Sequence, residues 1–123
     1  MIERINYQDL PQAAGPYVHA TKHNNTLYIS GLTAYETEVQ SSSLIAQTTE
    51  ILSQLSIILD CEGLVKNNLV KLTIFVRDIG SLTSIRELLF QFYEESLPAC
   101  SLVEVSKLIH PDLLVEIEAI AAL

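Results

Sequence analysis

Glu116 and Glu118 stand two residues apart in the run Val115-Glu116-Ile117-Glu118-Ala119-Ile120-Ala121, so on a β-strand both carboxylates leave the same face. Either the pair decorates a solvent-facing sheet surface, or a cleft takes one of them in. Apolar cleft walls would raise that carboxyl's pKa and suit it to acid–base work. A third carboxylate, Glu104, interrupts a similar run, Leu97-Pro98-Ala99-Cys100-Ser101-Leu102-Val103-Glu104-Val105. Cys100 is the nucleophile candidate there. A reactive thiolate needs a nearby cation or a helix N-terminus, and a strand start supplies neither. A small buried hydrophobe is the expected role. Tyr17 follows Gly15-Pro16, and Ser30-Gly31 ends another β-rich run, where glycine permits close backbone approach. His19, His23 and His110 form no metal-ligand spacing. The chain has no Gly-rich phosphate loop and no Gly-x-Ser-x-Gly elbow, so neither metal nor cofactor is expected.

These side chains need a scaffold, and the apolar periodicity outlines one. A short edge strand is predicted around Ile2–Tyr7. A β-hairpin follows, with strands at Tyr17–Lys22 and Thr26–Ser30, Asn24-Asn25 as the turn, and Gly31 closing the second strand. Ser41-Ser42-Ser43 caps a helix reaching about Asp60, with Leu44, Thr48, Ile51, Leu52, Leu55, Ile58 and Leu59 as its buried stripe. Leu69 to Val76 reads as a central strand that buries Val70, Leu72, Ile74 and Val76. A second helix opens at Gly80-Ser81, helped by a capping box of Ser84 with Glu87, and buries Leu82, Ile85, Leu88, Leu89 and Phe92. Pro98 suits the first residue of the next strand, since it cannot donate to a ladder. On that strand Cys100, Leu102 and Glu104 share one face. The last strand spans Leu114 to Ala121. This order predicts one α+β domain over residues 1–123, two helices covering one face of a mixed sheet.

The 123 residues suffice to bury a core, and 49% of them are hydrophobic, with mean hydropathy +0.30. That is high for so small a monomer, and part of the excess is expected at a subunit interface. No apolar run approaches the roughly 20 residues of a bilayer span, and no signal peptide is apparent. Two cysteines, Cys61 at a helix end and Cys100 at a strand start, make no secreted disulfide framework. A cytoplasmic setting is expected. Fifteen acidic residues outnumber seven basic ones, for a net charge of −8. Nucleic-acid binding needs clustered cations, so neither RNA nor DNA is an expected partner.

Together the runs around Cys100 and Glu116 resemble the RidA/YjgF (Rid) family of reactive-intermediate deaminases. Ala14-Gly15-Pro16-Tyr17, Leu27-Tyr28-Ile29-Ser30-Gly31 and Val70-Lys71-Leu72-Thr73-Ile74-Phe75-Val76-Arg77-Asp78 carry the resemblance further, in order, toward the C-terminus. It implies a chorismate-mutase-like α+β fold and a homotrimer with a central barrel, with small-molecule clefts between subunits. It also implies roles. Glu116 would position water or manage protons, Tyr17 would touch ligand at the cleft wall, and Ser30, Gly31 and Leu102 would help to bind it. Some family members carry an endoribonuclease label, which the acidic balance argues against here.

One departure is decisive for activity. Active deaminases carry arginine where this chain has Cys100, and that arginine grips the carboxylate of an imino acid in a bidentate pair. A thiol cannot replace it, and losing such an anchor costs on the order of 3–5 kcal/mol. The expected function is therefore binding of a small metabolite, or hydrolysis of an imine lacking a carboxylate, rather than 2-imino-acid deamination. Arg86 offers a rescue, since it falls near a cleft asparagine of the deaminases. It is otherwise a solvated charge opposite the helix's buried stripe. The remaining alternative is a non-catalytic, chaperone-like binding module.

Overall fold

A computed structural model describes residues 1–123. Strands β1 (Glu3–Ile5), β2 (Ala20–His23) and β3 (Thr26–Leu32) precede helix α1 (Leu44–Cys61). Strand β4 (Leu69–Val76), helix α2 (Leu82–Tyr93) and strands β5 (Ala99–Glu104) and β6 (Val115–Ala122) complete the chain. The six strands form one sheet in the order β1-β2-β3-β6-β4-β5. Only the β4–β5 pair is parallel. Parallel neighbours need a crossover, and α2 supplies it. The mixed sheet with two helices is the α+β architecture expected from the sequence.

Strand β6 shows how the pattern builds the core. Val115, Ile117, Ala119 and Ala121 are buried, whereas Glu116 and Ile120 are half-buried and Glu118 and Ala122 exposed. Alternation with period two sends the first set under the helices and the second to the other face. Ile51, Leu55 and Ile58 of α1 and Ile85 and Leu89 of α2 join that strand layer in one cluster of 22 buried residues. Both ends of α1 are closed as its sequence requires. The Ser43 side chain accepts the Ala46 N–H at 3.1 Å. Gly63, at φ 69°, lets the Leu64 N–H reach the Leu59 carbonyl at 2.8 Å, the glycine-terminated ending common in helices.

Several boundaries differ from expectation, each for a physical reason. The first hairpin strand begins at Ala20 rather than Tyr17. Upstream, the Gly15 carbonyl takes the Tyr17 N–H at 2.8 Å and the Asn6 side chain takes the His19 N–H at 3.1 Å. Asn24 and Asn25 do turn it, at φ 49° and 62°. Strand β3 continues through Gly31 to Leu32, with a register shift between Ile29 and Leu32. In β4 a shift between Leu69 and Lys71 buries Leu69 and exposes Val70, whereas Leu72, Ile74 and Val76 are buried as expected. The Ser84–Glu87 capping box does not form. A short 3-10 turn over Ile79–Ser81 precedes α2, and Asp78 caps it by accepting the Gly80 N–H at 2.9 Å. Leu44 of α1, and Leu82, Leu88 and Phe92 of α2, are only half-buried, while Gln47, Gln54 and Tyr93 are buried.

Candidate functional site

The register shift in β3 builds the cavity wall. It brings Gly31 beside Glu116 of the neighbouring strand so closely that an added Cβ would lie 2.8 Å from Glu116 Cδ and collide with Oε2. Any larger residue there would push aside the carboxylate it faces. Around the pair lies a cavity of about 430 Å³. Its walls include Tyr17, His19, Ser30, Gly31, Thr33 and Tyr35 from the first half of the chain, with Gln54 of α1. Ile109, Glu116 and Glu118 close the other side.

Glu116 accepts no hydrogen bond and joins no ion pair with any residue of the chain. Burial pushes its carboxyl above the usual glutamate value, and the neighbouring Glu118 adds to the rise. A half-buried, unpaired acid with a raised pKa is suited to proton transfer. Ser30 is held: its hydroxyl donates to the Val18 carbonyl at 2.7 Å, which leaves its oxygen as an acceptor. The Tyr17 hydroxyl accepts the Ala14 N–H at 3.3 Å, and the ring is about half exposed at the rim. His19 is not a metal ligand. Its Nδ1 accepts the Tyr7 N–H and its Nε2 meets the Pro11 carbonyl, both at 2.8 Å, so the ring buttresses the wall as the Nε2–H tautomer. No group of three His, Cys, Asp or Glu side chains is arranged to hold a metal ion.

The remaining sequence candidates lie elsewhere in the chain. Cys100 pairs with Leu72 of β4, which pairs with Ala119 of β6, both on the helix-covered side. Glu116 pairs with Phe75, which pairs with Val103, on the other side. Cys100 and Glu116 therefore leave opposite faces of the sheet. The expectation of a buried Cys100 is corrected, since β5 is an edge strand and the residue is exposed. Desolvation nevertheless pushes its thiol pKa up, and Lys71 offsets only part of the rise. An activated nucleophile would be shifted the other way. Leu102 packs on the core, and Glu104 accepts the Ile79 N–H at 3.0 Å, which accounts for a carboxylate in that apolar run. Arg86 is exposed on α2 and does not line the Glu116 cavity.

Gln54 was not anticipated. Only 4% exposed, it donates from Nε2 to the Thr33 carbonyl at 3.1 Å and to Glu50 Oε2 at 2.8 Å. A polar residue on the apolar stripe of a helix was the available signal.

The family described as Endoribonuclease L-PSP matches residues 7–123. A RutC family protein of Pyrococcus horikoshii is 34% identical over 124 residues, covering 98% of each chain. The 2-iminobutanoate/2-iminopropanoate deaminase of Escherichia coli is 32% identical over 126 residues, again 98% of each. Among solved structures, a Rid family protein of unknown function from Yersinia pestis superposes with a TM-score of 0.89 at 30% identity, covering 100% of both chains.

Proposed function

Since this chain belongs to the Rid (Endoribonuclease L-PSP) family, we propose that its cavity takes a small metabolite and hydrolyses a C=N bond that carries no carboxylate. The observation carrying this reading is the unpaired Glu116 in a cavity that no lysine or arginine of the chain lines. As carboxylate, Glu116 takes a proton from water while the water oxygen bonds the carbon of a protonated imine and the C=N π pair moves to nitrogen. The carbinolamine nitrogen then receives that proton. The C–N bond breaks as the hydroxyl O–H pair closes the carbonyl, and the hydroxyl proton passes through Glu116 to the departing ammonia. The products are a carbonyl compound and ammonium. Tyr17, Ser30 and Gly31 shape the pocket around the reacting atoms.

The reading includes a homotrimer with the cleft completed by a neighbour. The open edge of β5 with exposed Leu97 and Val103 supports this, as do Tyr28 and Val70, both exposed on the sheet. A long apolar edge left unpaired is an association hazard that assembly removes. Cys100 and Leu102 would then approach the cavity of an adjacent subunit, without the guanidinium that a carboxylate needs. The net charge of −8 argues against RNA as substrate, whatever the family's description.

A second reading, 2-imino-acid deamination, is favoured by the likeness to the Escherichia coli deaminase. It requires Arg86 of a neighbouring subunit to replace the missing anchor. Ammonia release from imines generated in situ separates the two. The expected result is faster turnover of 2-iminopropane than of 2-iminopropionate, with Glu116→Gln lowering the rate about 10²–10⁴-fold. Faster turnover of 2-iminopropionate would overturn the first reading.

A further inference from the structure

The amide of Gln54 is oriented by what surrounds it. Both of its hydrogen bonds leave from Nε2, to a backbone carbonyl and to the Glu50 carboxylate, so the nitrogen cannot exchange places with the oxygen. Oε1 accepts nothing from the chain, and the residue, although almost completely buried, lines the Glu116 cavity. That oxygen is not among the buried, unpartnered side-chain atoms of the chain, so it stays open to a donor from outside.

The charged groups of this cavity favour a donor as well. The Glu116 carboxylate accepts nothing, and Glu118 adds a second negative charge. The Ser30 hydroxyl has spent its proton on Val18, and the Nε2–H of His19 is engaged by Pro11. Glu50 places further negative charge directly behind the Gln54 amide. None of the chain's seven lysines and arginines lines the walls. Two tyrosine rings, Tyr17 and Tyr35, offer π faces, which attract cations rather than anions.

Resting on the reading of this cavity as the ligand site, we propose that it selects small cations bearing several N–H groups, protonated imines and amidines, and that Gln54 sets the preference. Oε1 of Gln54 accepts one N–H while the Glu116 carboxylate accepts another and balances the charge. In imine hydrolysis this would hold the C=NH₂⁺ nitrogen, leaving the carbon open to water. A carboxylate-bearing ligand of the same size would face the Glu116 and Glu118 carboxylates with no lysine or arginine of the chain to balance its charge.

Acetamidinium and acetate test this, because they share size and planarity and differ in charge and in donors. Each is titrated into the full-length protein at constant ionic strength and followed by amide NMR. Saturable shifts at Ser30, Gly31 and Thr33 with acetamidinium chloride, and none with sodium acetate, are expected. Gln54→Met, of similar volume, should weaken acetamidinium binding about tenfold or more, the worth of a hydrogen bond to a charged group. If that variant does not fold, Glu116→Gln should produce a comparable loss without disturbing any hydrogen bond of the chain. Acetate binding as tightly as acetamidinium, binding of neither, or undiminished affinity in folded Gln54→Met would overturn the proposal. Imine turnover is read separately. Cation binding without hydrolysis sinks the enzymatic reading alone, and hydrolysis with acetate preferred sinks the cation selectivity alone.

Discussion

Gln47 and Gln54 sit about two turns apart on the buried stripe of α1, the same residue type on one face of one helix. Gln47 is completely enclosed and all its polar atoms are engaged. Its Nε2 lies within hydrogen-bonding distance of the carbonyls of Gln40, Ser42 and Asp112, and its Oε1 accepts the Leu114 N–H at 2.9 Å. It ties the loop before α1 to the loop before β6. Gln54 uses only its nitrogen, leaves its oxygen without a partner in the chain, and lines a cavity. Burial alone does not separate a structural amide from a ligand-binding one. The completeness of the partner set does.

The strongest test of that contrast is Gln47→Leu. It strands several carbonyls and one N–H in a sealed corner, at a cost of about 2–4 kcal/mol. Urea denaturation should show a lower midpoint with an unchanged slope, while acetamidinium still binds to the folded fraction. A loss below about 0.5 kcal/mol would mean that water satisfies those groups and the corner is not a tie.

Gly31→Ala probes the cavity side with a smaller effect. The added methyl meets the end of the Glu116 side chain, which can swing away, so the stability cost should be about 1 kcal/mol. Cation affinity should fall further, because the carboxylate is displaced. In a Glu116→Ala background the cost should vanish, which a double-mutant cycle of denaturation midpoints measures. The same cost in both backgrounds would mean that Gly31 serves the β3 backbone rather than the carboxylate.

The fold was legible because its signals are local. Alternation over β6, the serine cap of α1 and the paired asparagines of the hairpin turn each follow from a few neighbouring residues. What escaped was set by distant partners. Nothing near Val70 announces the shift that turns it outward, and the Asn6 side chain removes the His19 N–H from the ladder across a loop. Glu116, Tyr17, Ser30 and Gly31 line one cavity, and they were all named from the sequence, though through resemblance rather than periodicity. Gln54 was missed because helical spacing counts stripe positions and says nothing of which amide atom stays free.

The faintest effect separates the two regions by sign. Glu116 titrates above its ordinary value in the folded chain because burial disfavours the charged form. Between the unfolded and folded pKa values the native state holds more protons than the unfolded state, so stability falls as pH rises through that window. Below the ordinary glutamate pKa the penalty is absent, and above the raised pKa it is complete. Glu116→Gln removes the penalty, so the variant should match wild type near pH 3.5 and exceed it at pH 7. The gain should be on the order of 0.5 kcal/mol, since a half-exposed carboxylate keeps part of its solvation. Paired urea titrations at the two pH values measure the difference, and acid effects on other groups cancel in it. A variant less stable than wild type at pH 7 would reveal a stabilising partner for the carboxylate. The cavity would then be a sealed structural corner like that of Gln47, with no acid held in readiness for a ligand.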